Sequence, residues 1–112
     1  MTREERYEIY NGTAIAIVND LETMLDCKLK LKKLPKIKPQ FLIDDDDEYQ
    51  DNLELSYEKR DLLSKIEECN EAIIDNISFF SENGLSVAFK AWLVHTGNGD
   101  KIEKLKNLGF DL

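Results

Sequence analysis

The sequence predicts a mostly α-helical protein, a small bundle of two long and two short helices with an irregular charged crossing between the long pair. Three observations carry this. Apolar residues recur at steps of three and four over two long stretches, the period of a helix with one buried face. Asn83-Gly84 and Gly97-Asn98-Gly99 punctuate the last third as helix stops or turns. Between the long stretches lie two charge runs of opposite sign, Lys28, Lys30, Lys32, Lys33, Lys36 and Lys38, then Asp44, Asp45, Asp46, Asp47 and Glu48. Blocks of like charge repel themselves and stay in water, so this stretch reads as the divide between two helical halves. At 112 residues the chain fits one domain, 1–112, with 29–55 as the crossing.

The first helix is expected over 3–28. Thr2 and Glu5 form the signature of a capping box, and Glu4, Glu5 and Glu8 suit the positive end of the helix dipole. Tyr7, Tyr10, Ala14, Val18, Leu21 and Leu25 make its apolar stripe, widened by Ile17 and Met24. Asn11-Gly12 is a weak point, but the stripe keeps phase across it. In the crossing, leucines alternate with lysines around 28–32, which reads as a strand, and Pro35 and Pro39 oppose a regular helix. A short β element around 29–43 is the expectation, with Phe41-Leu42-Ile43 anchoring the segment.

The second long helix is expected over 56–82, with Ser56 as N-cap. Leu62, Ile66, Cys69, Ile73, Ile77 and Phe80 form a near-heptad seam flanked by Leu63, Ile74 and Phe79. A third helix covers 85–95, where a strand is the competing reading. Bulky Phe89, Trp92 and Leu93 fall at helical spacing and decide for helix. The fourth is expected over 100–108, opened by a capping box of Asp100 and Glu103 and closed by Gly109 in a Schellman motif that brings Phe110 to Leu105.

Composition narrows the function classes. Hydrophobic residues make up 42% and charged residues 34%, which suits a globular core under a heavily charged surface. The net charge of −8 repels nucleic acid and anionic membranes and attracts basic protein surfaces. No stretch is long and apolar enough for a transmembrane helix, and the N-terminus lacks the apolar region of a secretory signal. A cytoplasmic protein is expected. Cys27 and Cys69 lie in helical patterns without zinc-site spacing and read as buried free thiols.

No catalytic, metal or cofactor pattern emerges, so an enzyme is not expected and no cofactor is implied. The acidic block fails as a calcium loop, because counting from Asp44 the sixth position is Tyr49 and the twelfth is Leu55. The serines show no nucleophile elbow, and His95, the only histidine, has no positioned partner. The candidate site is therefore a partner-binding surface: Asp44, Asp45, Asp46, Asp47 and Glu48, continued by Asp51, Glu54, Glu58 and Asp61. Carboxylates spaced along a surface can occupy the contacts that Arg and Lys make with a nucleic-acid backbone.

The expected function is that of a small acidic protein that binds without catalysis, an inhibitor occupying a basic, nucleic-acid-binding surface of a partner protein such as a nucleic-acid-processing enzyme. Phage anti-defence inhibitors and immunity proteins are of this physical type. The alternative is an assembly or adaptor protein that homo-oligomerises through the 62–80 seam. Direct nucleic-acid binding by the lysine run ranks last, since the run holds no arginine or aromatic residue and neighbouring acids attract it.

Overall fold

Thr2 starts the first helix as the capping box requires. The Glu5 amide donates to Thr2 Oγ1 at 3.1 Å, and the Thr2 amide donates to the Glu5 carboxylate at 3.2 Å. The computed structural model describes residues 2–43 and 45–112. In it α1 spans Arg3–Lys33 without a break at Asn11-Gly12, α2 spans Asp46–Glu82, α3 Ser86–His95 and α4 Asp100–Asn107, with one 3-10 turn at Gln40–Leu42. The fold is mostly α, two long helices and two short ones, and no strand occurs among the described residues.

Three boundaries differ from expectation. First, α1 runs five residues past Lys28, and the 29–43 β element is not formed. Leu and Lys are good helix formers, and Lys30, Lys32 and Lys33 sit in the last turn, where cations suit the carbonyl end. What ends the helix is Pro35, which pushes the preceding Leu34 to extended backbone at φ −63° and ψ 138°. Second, α2 begins at Asp46 instead of 56, so the crossing shrinks to 34–45. Asp45 to Glu48 of the acidic block form the start of this helix, with Asp45 as N-cap, its carboxylate accepting from the Asp47 amide at 3.0 Å. Ser56 caps nothing; its hydroxyl donates to the Asn52 carbonyl at 3.0 Å inside the helix. Third, the Asp100–Glu103 box is absent. Gly99 is the cap residue, and Asp100, already in the first turn, pairs with Lys101 and Lys104, each at 3.2 Å.

The three helix stops share one geometry. Gly84, Gly97 and Gly109 all have positive φ, at 68°, 77° and 92°. Each is followed by an amide reaching back to the helix: Leu85 to Phe80 at 2.8 Å, Asn98 to Leu93 at 2.7 Å and Phe110 to Leu105 at 3.0 Å. These are Schellman motifs, and a side chain at the left-handed position would strain each one.

α1 and α2 pack antiparallel as a long hairpin, with Tyr10 beside Phe79 (ring centroids 6.0 Å apart) near one end and Lys38 beside Glu48 near the other. α3 and α4 cover only the first of these ends. There a single buried cluster draws on all four helices, including Ile17, Leu21, Ile73, Leu93 and Leu105, each fully buried. The expected seam on α2 faces inward, with Cys69, Ile73 and Phe80 buried and Leu62, Ile66 and Ile77 half-buried. The result is elongated, 65 × 27 × 21 Å with a Cα radius of gyration of 19.1 Å, where a compact chain of this length has about 13 Å.

Candidate functional site

The nine acidic residues singled out from the sequence separate into groups once placed on α2. Asp44 lies outside the described residues. Asp45 is the N-cap, and Asp46, Asp47 and Glu48 form the first turn, where negative charge meets the unpaired amides of the helix start. Part of the block is thus structural: it caps and opens the helix that it was expected to precede.

From Asp47 onward a different pattern appears. Asp47, Asp51, Glu54, Glu58 and Asp61 follow at steps of four, three, four and three, so they share one helix face, and all five are exposed. At 1.5 Å per residue the ridge runs about 21 Å, with neighbouring carboxylates about 5–6 Å apart at their bases. Its cationic neighbours are few. Arg60 touches Asp61 at 3.5 Å, a pair open to solvent, and also lies over the Tyr57 ring at 5.2 Å. Across the hairpin, Lys30 bonds to Asp26 at 3.0 Å, and that hydrogen bond and charge, with a smaller contribution from Glu58, hold its ammonium above the usual lysine range. Asp47, Asp51, Glu54 and Glu58 form no ion pair among the described residues.

The ends of the two charge runs do meet. Lys38 pairs with Glu48, and the Asn52 side chain clasps the Lys38 backbone from both sides. The Lys38 amide donates to Asn52 Oδ1 at 2.8 Å, and Asn52 Nδ2 donates to the Lys38 carbonyl at 3.1 Å. This clasp fixes the crossing against the first turns of α2 and so fixes where the ridge begins. Lys28, Lys32, Lys33 and Lys36 make no ion pair among the described residues.

Sequence reasoning missed Asn52, whose partner is a backbone fourteen residues away. It also missed a bond between Trp92 Nε1, which donates, and Asn11 Oδ1 at 2.9 Å, which ties α3 to α1. Asn11 was read only as a helix weak point. Tyr7 is exposed and Tyr10 half-buried, and His95 is exposed at the end of α3. Both cysteines are buried free thiols, and burial pushes the Cys69 thiol up.

No helix among the described residues is long and apolar enough to cross a membrane. No protein-family model matches the chain, and no similar curated protein or solved structure is found.

Proposed function

We propose that the protein acts by binding, without catalysis, and that the α2 ridge docks onto a basic, nucleic-acid-binding surface of a partner protein and competes there with nucleic acid. The observation that carries this reading is the in-phase row Asp47, Asp51, Glu54, Glu58 and Asp61, exposed and almost free of cationic partners. A rigid helix presents these charges at fixed spacing, so a row of Lys and Arg meets them without first ordering a loop, which lowers the entropic cost of association. The reading gives the chain the physical type of phage anti-defence inhibitors and immunity proteins, small and acidic and acting by binding. Self-assembly through the 62–80 seam has less surface to use, because Cys69, Ile73 and Phe80 are already consumed inside the chain.

The test is capture from a host-type lysate at low salt, comparing the natural chain with a ridge variant carrying Asp51→Asn, Glu54→Gln, Glu58→Gln and Asp61→Asn. A nucleic-acid-binding protein is expected on the natural chain, released by rising salt and lost with the variant. Added to that partner, the natural chain is expected to displace bound DNA or RNA. A partner list that the variant leaves unchanged would sink the proposal.

A further inference from the structure

At the covered end of the hairpin, residues of α1, α3 and the end of α2 line a cleft of about 200 Å³. Its floor is buried and apolar, made by Ala14, Phe80 and Phe89, and its outer lining includes exposed Tyr7 and Ala88. The Phe80 and Phe89 rings stack at 5.0 Å, and Phe89 and Trp92 at 6.4 Å, so the inner wall is a run of aromatic surface. No carboxylate, ammonium or guanidinium lines it. In a chain of which 34% is charged, such a surface selects an uncharged guest.

The polar groups at the cleft are few and specific. The indole N–H of Trp92 is a donor only, so the Asn11 atom it meets is the carbonyl oxygen, and Asn11 is left with its amide N–H groups to offer. Tyr10, and Tyr7 at the rim, bring hydroxyls. The volume also limits the guest, since an apolar cavity of about 150 Å³ holds one benzene ring. We infer that the α1–α3 cleft is a binding site for a single neutral aromatic ring carrying a hydroxyl or carbonyl, a phenol-type group. The ring lies against the Phe80–Phe89–Trp92 wall, and its oxygen accepts from Asn11. This site is separate from the acidic ridge and stands whether or not the ridge docks as proposed.

Trp92 is the only tryptophan, so the protein has one indole N–H signal in a ¹H–¹⁵N correlation spectrum, and that signal sits in the cleft wall. Titration with p-cresol is expected to move it along a saturating curve, with a dissociation constant on the order of 1 mM for so small a ligand. Toluene, which has no oxygen, is expected to bind several-fold more weakly. Ala88→Leu, which fills the mouth from an exposed position, is expected to weaken p-cresol about tenfold or more by exclusion. Tyr7→Ala, equally exposed, removes part of the lining and serves as a second variant, with circular dichroism confirming that both fold. Lys-Tyr-Lys and Glu-Tyr-Glu peptides identify the source of the ring. Tighter binding of the lysine peptide than of p-cresol assigns the site to a basic protein segment, and weaker binding of both peptides assigns it to a free small molecule. A linear, non-saturating shift, or equal affinity in the Ala88→Leu protein, overturns the site. Equal affinity for toluene overturns the hydrogen bond to the guest.

Discussion

The two ends of the α1–α2 hairpin are made from the same pair of helices and differ in what covers them. At the head, α3 and α4 close over the pair, and Ile17, Leu21, Ile73, Leu93 and Leu105 are fully buried. Along the arm no described residue between Lys28 and Glu68 is fully buried. Leu31, Leu53, Leu55, Leu62 and Ile66 are only half-covered, and Leu29, Phe41, Leu42 and Leu63 are exposed. Burying apolar area contributes about 25 cal/mol per Å², so most of the stabilisation resides in the head. The arm contributes reach and charge: it holds the acidic ridge, the lysine run and the Asn52 clasp. The lesson is that one helix pair can be a core at one end and a display rod at the other, according to whether a third layer is present.

The comparison breaks most directly under truncation of matched leucines. Leu93→Ala in the head is expected to lower unfolding free energy by about 2–5 kcal/mol, because the site is fully enclosed and leaves a cavity. Leu62→Ala in the arm is expected to cost about 1 kcal/mol, because half its area is already wet and the hole opens to water. Urea unfolding of both variants measures this, and equal losses would show that the arm is as much a core as the head.

A smaller effect is expected at the crossing. Asn52→Ala removes both bonds to the Lys38 backbone, at about 1 kcal/mol net, and frees residues 34–45. Amide exchange and tryptic cleavage after Lys36 should quicken while exchange in the head stays unchanged. Faster exchange at both ends would mean that arm and head open together.

The smallest effect concerns the boundary between the two regions, where Cys69 is buried. Burial raises its folded-state pKa, so the folded protein favours the neutral thiol. The resulting stability is fully present below the ordinary thiol value of 9.0 and is lost as pH rises above it towards the folded value. Urea midpoints should therefore fall on the alkaline side more for the natural chain than for Cys69→Ala, each compared with its own value at neutral pH. A parallel decline in the two would remove Cys69 as the cause.

Much of this architecture was legible because helix signals are local. Thr2 and Glu5 start α1, the 62–80 seam marks the inward face of α2, and Gly109 with Phe110 closes α4 as their types require. The arm was less legible, for two physical reasons. Alternating Lys and Leu at 28–32 has the period of a strand, yet on a helix Leu29 and Leu31 simply land on different faces, one exposed and one half-buried. Self-repulsion places the acidic block in the irregular crossing, whereas the positive end of a helix offsets that repulsion and lets Asp45, Asp46, Asp47 and Glu48 open α2. Of the candidate site, the acids Asp51, Glu54, Glu58 and Asp61 are evident in the sequence, but only Glu58 and Asp61 lie in the helix expected over 56–82, so the shared face of Asp51 and Glu54 with them follows only from the helical 46–55. The continuity with Asp47 depends on the same stretch. The α1–α3 cleft was not visible, because it requires Asn11 and Trp92 to meet across 81 positions.

That difference in sequence separation also bears on the order of folding. The clasp joins residues 14 apart and the head bond residues 81 apart. Closing the longer loop costs about 1.5 kcal/mol more in chain entropy, by the logarithm of the two lengths. A hairpin that zips from its tip starts cheaply but gains only weak, half-wet contacts as it closes. A hairpin that collapses at the head meets the higher entropic barrier and recovers it at once from buried aromatic and aliphatic area. The reversal at 34–45 therefore makes the tip the kinetically accessible end and the head the rewarding one, so the rate-limiting step is expected to be the arrival of α3 on a hairpin already begun.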